Sequence, residues 1–162
     1  MKRSARAATL LTVILASSLA AGAIVHAEPA QDRRPPSTPT RKAPAMESVL
    51  IRFGGETVTA TLEPGEAARA FRALLPLTLK LTDYNATEKI ADLPRRLPVL
   101  GEPAGIDPEP GDLTYYAPWG NLAIFYKDFG SSRGLVRLGR LSRIPDAFRQ
   151  PGPVTVTIEP AP

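Results

Sequence analysis

Aromatic side chains are concentrated in one stretch of the chain, where they could form a ligand-binding surface. They are Tyr115, Tyr116, Trp119, Phe125, Tyr126 and Phe129. Successive side chains of a β-strand point to opposite faces, so Tyr115 and Tyr116 cannot both fill a core. The same restriction applies to Phe125 and Tyr126. Either the outward rings merely cover a neighbouring loop, or together with Trp119 they line an apolar cleft with polar groups at its edge.

Polar residues crowd the end of the third predicted strand, at residues 83–89. Asp83 and Asn85 are typical of residues that fix a turn through hydrogen bonds from side chain to backbone. Glu88 next to Lys89 is interpreted as an ordinary charged pair. Arg95-Arg96 could bind a carboxylate or a phosphate, although exposed arginine pairs are more often simply solvated.

The residue types that are missing exclude several kinds of chemistry. The chain has no cysteine and a single histidine, His26, which lies in the N-terminal leader described below. Beyond the leader, a thiolate nucleophile, a zinc site with cysteine ligands and a histidine-based triad are therefore excluded. Oxygen ligands could still hold a hard cation, but the sequence has no EF-hand-like run of acidic residues. We expect neither a metal nor a cofactor.

The net charge of +4 does not point to a nucleic-acid partner. Part of the excess lies in the leader, which carries Lys2, Arg3 and Arg6 and no acidic residue. From Glu47 onward, 13 basic residues accompany 14 acidic ones. Binding to a phosphate backbone needs a clustered basic face, and no such excess remains. The expected partner is instead a peptide or a small-molecule ligand.

Residues 1–27 have the three parts of a secretory signal peptide. A basic start precedes the uncharged stretch Ala7–Val25, and Val25-His26-Ala27 places small residues where a signal peptidase cleaves. We expect cleavage near Ala27 and export to the periplasm or the cell exterior. The alternative is an uncleaved anchor, because the uncharged stretch is just long enough to span a bilayer. A membrane partner is expected only in that case.

Residues 28–46 are predicted to form a disordered linker. Its prolines are Pro29, Pro35, Pro36, Pro39 and Pro44. They alternate with scattered charges and almost no bulky apolar residue, so the segment cannot bury enough surface to offset the entropy of ordering. It should be an extended spacer, and a role as a proline-motif ligand is the alternative.

Four elements are predicted at the start of a domain that spans residues 47–159. Two alternating runs separated by a glycine pair are typical of a hairpin, and a run with helical spacing and a further alternating run follow. In chain order these elements are strands Ser48–Phe53 and Glu56–Leu62, a helix over Ala67–Leu75, and strand Leu77–Leu81. Pro76 ends the helix because it cannot continue the hydrogen-bonding pattern.

The rest of the domain is predicted to consist of short strands and one long loop. The loop is Asp92–Asp112, which is rich in Pro and Gly, with short strand pieces near Glu88–Ala91. The further strands are Leu113–Ala117, Asn121–Lys127, Leu135–Leu141 and Val154–Ile158, and Pro145–Arg149 forms at most one helical turn. This pattern predicts a mainly β fold, a small closed antiparallel β-barrel with one main α-helix, which leaves no edge exposed.

Three segments of the chain carry a more specific pattern. They are residues 75–94, which include TDYNATEK, residues 111–126, GDLTYYAPWGNLAIFY, and residues 134–141, GLVRLGRL. In these segments the chain resembles a family of small bacterial proteins with a cyclophilin-like fold. The resemblance extends over roughly Ser48 to Ile158 and implies a compact β-barrel with one main helix, in agreement with the elements predicted above.

The fold that the resemblance implies is that of the larger cyclophilins, which are prolyl isomerases. Those enzymes use an arginine that bonds to the prolyl nitrogen and an apolar pocket that holds the ring, and they lower a rotation barrier of about 18–20 kcal/mol. The third strand here lacks their Phe-His-Arg run, and its only cation, Lys80, does not reproduce a planar guanidinium. The strand Ala123–Tyr126 does resemble the one that forms the floor of their pocket.

Two functions are therefore considered. The first is a non-catalytic module that binds a peptide or a small ligand, and the second is a weak prolyl isomerase that assists the folding of exported proteins. The candidate ligand-binding residues are Tyr84, Asn85, Tyr116, Trp119, Asn121, Phe125 and Lys80. No catalytic residue is assigned.

Overall fold

The structure is a computed structural model, and it describes residues 46–162. The signal peptide expected over residues 1–27 and the linker expected over residues 28–46 lie outside the described residues, apart from Met46. Neither helix of the described part has the length and the hydropathy that crossing a membrane would require.

The described chain contains ten strands and two short helices. In chain order they are β1 (Ser48–Phe53), β2 (Glu56–Leu62), α1 (Glu66–Arg72), β3 (Leu77–Tyr84), β4 (Glu88–Asp92), β5 (Gly105–Ile106), β6 (Asp112–Tyr116), β7 (Asn121–Phe125), β8 (Ser132–Arg133), β9 (Leu135–Leu141), α2 (Asp146–Arg149) and β10 (Val154–Pro160). Eight strands form a closed antiparallel barrel in the order β1-β10-β3-β4-β7-β6-β9-β2, while β5 and β8 form a separate two-stranded sheet. The predicted fold class is confirmed.

The barrel interior is filled by one face of each strand, as the alternation of side chains requires. In β1 the buried residues are Val49, Ile51 and Phe53. Strand β7 differs because all five of its residues are buried. Its Leu122 and Ile124 belong to the main core, whereas its other apolar side chains belong to a second, smaller cluster. The outer face of this part of the barrel is therefore also covered.

A hydrogen bond joins helix α1 to the long loop between β4 and β6. It buries Ala67, Ala68 and Phe71 against the core. Gly65, the residue before the helix, supplies no capping side chain, and the Glu102 carboxylate instead accepts a hydrogen bond from the Ala67 N–H at 3.1 Å. A negative charge is favourable at this positive end of the helix dipole. Glu102 thereby holds the loop against the helix.

The structure corrects two of the predicted elements. The helix ends at Arg72, earlier than predicted, and Leu74 and Leu75 donate to the carbonyls three residues before them, so the chain tightens into a turn ahead of Pro76. Glu88–Asp92 is a full barrel strand paired with both β3 and β7, where only strand pieces were expected. Strands β5 and β8 were missed because two residues are too few to show a period.

A buried lysine connects β4 to the chain segment that leads into β10. The side chain of Lys89 is fully buried, and its Nζ donates to the backbone oxygens of Gln150 at 2.7 Å and Gly152 at 2.9 Å. The same Nζ forms an ion pair with Asp83 Oδ1 at 2.9 Å. The Tyr126 hydroxyl donates to that carboxylate oxygen at 2.7 Å. Lys89 therefore satisfies its buried charge within one compact cluster.

These contacts shift the pKa of two groups. Burial raises the pKa of Asp83, but the hydrogen bonds from Lys89 and Tyr126 outweigh it and hold that pKa below its ordinary value of 3.8. Burial, together with the hydrogen bond to Asp83, raises the pKa of Tyr126 to about 12. Because the Asp83 pKa is lowered by folding, its contribution to stability is present above pH 3.8 and is lost as the pH falls through the lowered value.

We predict that Lys89→Met lowers the free energy of unfolding by about 3 kcal/mol, because it leaves two carbonyls and a carboxylate without their buried donor. Lys127→Met is the matched control. The Nζ atoms of Lys89 and Lys127 both lie 6.0 Å from the Tyr126 ring centroid. Lys127 is exposed, so its replacement should change stability by less than about 0.5 kcal/mol. Urea unfolding measures both variants, and equal effects on stability would contradict the role given to Lys89.

Candidate functional site

A pocket of about 160 Å³ opens on the outer face of the barrel. Its lining comes from strands, turns and loops that are far apart in the sequence. The lining residues are Tyr84, Asn85, Glu88, Tyr116, Trp119, Ala123, Phe125, Phe129, Ser132 and Leu135. Strands β4, β7, β6 and β9 are consecutive neighbours in the barrel, and they supply the floor of this pocket.

The floor follows from the alternation of the strands. Tyr115 lies in the main core with its hydroxyl accepting a hydrogen bond from the Leu97 N–H at 3.1 Å, so the next residue, Tyr116, must point outward. In the same way the core residue Ile124 places Phe125 on the outer face. The register then sets Phe125 opposite Glu88 and Tyr116 opposite Leu135.

Aromatic rings form the walls. Trp119 meets the ring of Tyr84 edge to face at a centroid distance of 5.5 Å, and it meets Tyr116 in the same way at 5.4 Å. Phe125 and Phe129 are 5.8 Å apart. Edge-to-face pairs are a favourable arrangement for aromatic rings. Since Trp119 is 55% exposed and Phe129 39% exposed, both rings remain open to a ligand.

Five of the seven residues selected from the sequence line this pocket, and two do not. Tyr84, Asn85, Tyr116, Trp119 and Phe125 are the five that line it.

Lys80 and Asn121 lie outside the lining. Lys80 is exposed on β3, opposite Thr155 of β10. Strand β10 is the neighbour of β3 on the side away from β4, which belongs to the pocket floor. Asn121 is only 3% exposed, and its Nδ2 donates to the Leu122 carbonyl at 3.3 Å. Its Oδ1 has no hydrogen-bond partner among residues 46–162.

Glu88 is the pocket residue that the sequence reasoning interpreted differently. It does not pair with Lys89, because neighbouring strand residues face opposite ways and Lys89 points into its own buried cluster. Glu88 is 6% exposed and accepts a hydrogen bond from the Thr87 hydroxyl. Burial raises the pKa of its carboxyl, the Thr87 hydrogen bond opposes the rise, and the negative charge of Asp83 adds to it.

Arg96 holds the turn that carries Trp119. Its guanidinium donates to the carbonyl of Ala117 at 2.6 Å and to that of Pro118 at 3.3 Å. The sequence left open whether Arg95-Arg96 bind an anion or are solvated. In the structure Arg96 binds backbone oxygens of its own chain.

Two glycines complete the support of this turn. Gly120 has a φ of +80°, a conformation that favours glycine, and its N–H donates to the Tyr116 carbonyl at 2.8 Å. At Gly134 a Cβ would lie 2.9 Å from Pro118 Cδ, so a larger residue would push the turn away. Trp119 therefore projects from a turn that is held on several sides.

The opposite wall is formed by a strained turn between β3 and β4. Asn85 and Ala86 have φ values of +50° and +53°, and the Thr87 N–H donates to the Tyr84 carbonyl at 3.1 Å. Asparagine tolerates this left-handed conformation, whereas alanine pays about 1 kcal/mol for it. Strain of this kind is found at many functional sites.

An acidic groove lies next to the pocket and shares Phe129 with it. It is lined by Asp107, Pro108, Glu109, Asp128, Phe129 and Gly130. The Glu109 carboxylate is paired with Arg140 at 2.6 Å. Asp107 and Asp128 form no ion pair within the described part of the chain, so this groove has a negative charge.

Another pocket, of about 280 Å³, lies beside Met46 between β2 and α1 and contains none of the residues selected from the sequence. No group of three acidic or imidazole side chains in residues 46–162 is placed to hold a metal ion.

We predict that Glu88→Gln stabilises the fold at pH 7, raising the midpoint of thermal unfolding by a few degrees. The folded pKa of Glu88 lies above its ordinary value of 4.5, so ionisation at neutral pH weakens the fold. Below pH 4.5 the carboxyl is neutral in both states and the advantage of the variant should vanish. Thermal melts from pH 3 to pH 8 measure this, and an advantage that does not depend on pH would contradict it.

We predict that Arg96→Met loosens the turn of Trp119. The fluorescence anisotropy of this single tryptophan should fall, and the free energy of unfolding should decrease by about 1 kcal/mol. Arg95→Met is the matched control, because Arg95 is exposed and makes no hydrogen bond or ion pair with the described residues. If both variants change the anisotropy equally, Arg96 does not position the turn.

Comparison with known proteins agrees with this fold. The model of the cyclophilin-like family matches residues 51–159. The solution structure of a hypothetical protein from Archaeoglobus fulgidus is similar, with a TM-score of 0.55 and 17% sequence identity over 72% of this chain and 95% of that chain, a likeness that concerns the fold alone. No curated protein matches this chain. The family match covers most of the described residues, and this chain belongs to the cyclophilin-like family.

Proposed function

We propose that this cyclophilin-like domain is a non-catalytic module that binds a small ligand, or one side chain of a peptide, in the pocket beside Trp119. The observation that carries the proposal is the grouping of exposed rings. Tyr84, Trp119 and Phe129 are exposed large apolar side chains, and all three line this one pocket. Exposed apolar groups that cluster in this way mark interaction sites, because a bound ligand removes their surface from water.

The pocket walls are held in place by contacts within the chain, and this rigidity favours binding. Arg96 and Gly134 hold the turn of Trp119, and the other wall is a tight turn at Asn85. A site that is rigid before binding loses little conformational entropy when a ligand arrives. The walls therefore resemble a preorganised receptor more than a surface that must fold around its partner.

A weak prolyl isomerase is the alternative, and it is supported by the family alone. The larger cyclophilins place a guanidinium beside their apolar pocket. The residues that line the pocket described here include neither arginine nor lysine, and Lys80 lies elsewhere on β3. The fold by itself does not carry the activity over. Binding without catalysis is the function that these residues support best.

The module is proposed to act after export. The support is the leader sequence, in which a basic start, an uncharged stretch and small residues before the expected cleavage point follow in order. N-terminal sequencing of the protein recovered from its native host tests this, and an intact Met1 would contradict cleavage near Ala27.

We predict that N-acetylated amino-acid amides, titrated as a set that includes proline, leucine, phenylalanine and lysine, change the fluorescence of Trp119. Phe129→Ser should weaken the best of these probes about tenfold, because it removes one wall of the pocket. Leu100→Ser is the matched control, since Leu100 is 88% exposed and lies outside the pocket. Trp119 fluorescence that responds to none of these probes would contradict the proposed function.

We predict that the protein does not accelerate isomerisation of an Ala-Pro peptide in a protease-coupled assay. The measured rate should equal the uncatalysed rate at every protein concentration. A rate that rises in proportion to the protein, and that falls in the Phe129→Ser variant, would establish the isomerase alternative at this pocket.

A further inference from the structure

The pocket contains one buried acidic group whose charge has no cationic partner. Glu88 is 6% exposed, and no lysine or arginine of the described residues forms an ion pair with it. Its one hydrogen bond comes from the neutral hydroxyl of Thr87. Burial of an unpaired carboxylate is unfavourable, so such a group is retained at a cost to stability.

The nearest lysine is directed away from the pocket. Lys89 follows Glu88 in β4, but it lies on the opposite face and binds Asp83 and two backbone oxygens. The buried charge of Lys89 therefore has partners, whereas the carboxylate of Glu88 has no cationic partner and lines the pocket.

Aromatic rings surround this carboxylate. Tyr84 lies directly opposite Glu88 in the register of β3 and β4, and Phe125 lies directly opposite it in the register of β4 and β7. Trp119 and Tyr116 line the same pocket. The face of an aromatic ring carries partial negative charge and attracts a cation, most strongly in the case of tryptophan. The ring faces and the carboxylate thus favour the same sign of ligand charge.

The side of the pocket that adjoins the acidic groove has the same polarity. The acidic groove adjoins it through Phe129, and Asp107 and Asp128 supply carboxylates there that form no ion pair with a described lysine or arginine. Arg137 donates to the Asp107 carbonyl at 3.3 Å, but its ion pair is with Asp112. Negative side chains at the edge of a pocket raise the local concentration of cations and disfavour anions.

We propose that the pocket is selective for organic cations, taking an ammonium head group against Glu88 and the rings of Tyr84, Tyr116 and Trp119. The volume of about 160 Å³ suits the end of a side chain or a small amine rather than a whole peptide. The inference rests on the proposed function and adds the charge of the ligand to it. A lysine side chain and a free quaternary amine share this chemistry.

Ionisation of Glu88 controls the affinity. The ionisable group that faces it from β3 is Tyr84, and Asp83 adds its negative charge from the other face of the sheet. Strand β7 contributes no ionisable group, and Tyr116 of β6 lines the same pocket. The raised pKa of Glu88 means that its charge is lost at a higher pH than that of an exposed glutamate. Cation binding should therefore weaken as the pH falls from 7 toward 4, while binding of a neutral ligand should not.

Choline and 3,3-dimethylbutan-1-ol test the proposal on the full chain. The two probes have nearly the same shape, and only choline is charged. We expect choline to bind at least tenfold more tightly than the neutral alcohol, as measured by Trp119 fluorescence and by calorimetry at low ionic strength. N-acetyl-trimethyllysine amide and N-acetyl-lysine amide, compared with choline, show whether the source is a peptide side chain or a free amine.

Variants connect the selectivity to Glu88. Glu88→Gln should weaken choline at least tenfold and leave the neutral alcohol within about twofold. Because this variant is expected to be at least as stable as the wild type at pH 7, weaker binding would not reflect unfolding. Glu63→Gln is the control, since Glu63 is an exposed carboxylate that does not line this pocket, and it should change neither affinity.

Two different failures can be told apart. Equal affinity for choline and the neutral alcohol, or choline binding that is unchanged in Glu88→Gln, would overturn the selectivity for cations and leave the binding function standing. If neither these probes nor the acetylated amides bind, the proposed function falls together with the inference.

Discussion

Closure of the barrel is the constraint from which the other features of this domain follow. Each strand must give one face to an interior that is filled by apolar side chains, so every second residue is sent outward. Along β7 the inward residues are Leu122 and Ile124, which leaves Ala123 and Phe125 on the outside. Apolar residues on an outer face need cover, and the pocket lies where loops and rings provide that cover incompletely.

The same alternation separates two charges that are adjacent in the sequence. Glu88 and Lys89 carry opposite charges, yet the strand directs them to opposite faces. Lys89 finds Asp83 and two carbonyls on its side. On the other side Glu88 has only the hydroxyl of Thr87. The resulting imbalance gives the pocket its polarity.

The pocket walls depend on groups that do not face a ligand. Arg96 holds the Trp119 turn through backbone oxygens, and Gly134 leaves room for Pro118 below it. Glu102 ties the loop that follows β4 to helix α1. Membership of the cyclophilin-like family accounts for the barrel, whereas the chemistry of the pocket comes from side chains that this chain places on it.

Most of the barrel could be predicted from the sequence because its signals are local. Alternation around Gly54-Gly55 indicated the hairpin of β1 and β2, and the aromatic segment indicated which part of the surface to examine. Boundaries were less accurate, as the early end of α1 shows, because turns after a helix have no period of their own.

The sequence by itself therefore determined the mainly β fold, its single main helix and the aromatic composition of the candidate site. Only the tertiary structure decided that Glu88 lines the pocket and that Lys89, Lys80 and Asn121 do not. The physical reason is distance along the chain. Alternation and turn chemistry act between near neighbours, whereas the partners of a buried charge are set by strand order and register, which bring β4 against β7 and Lys89 against Gly152.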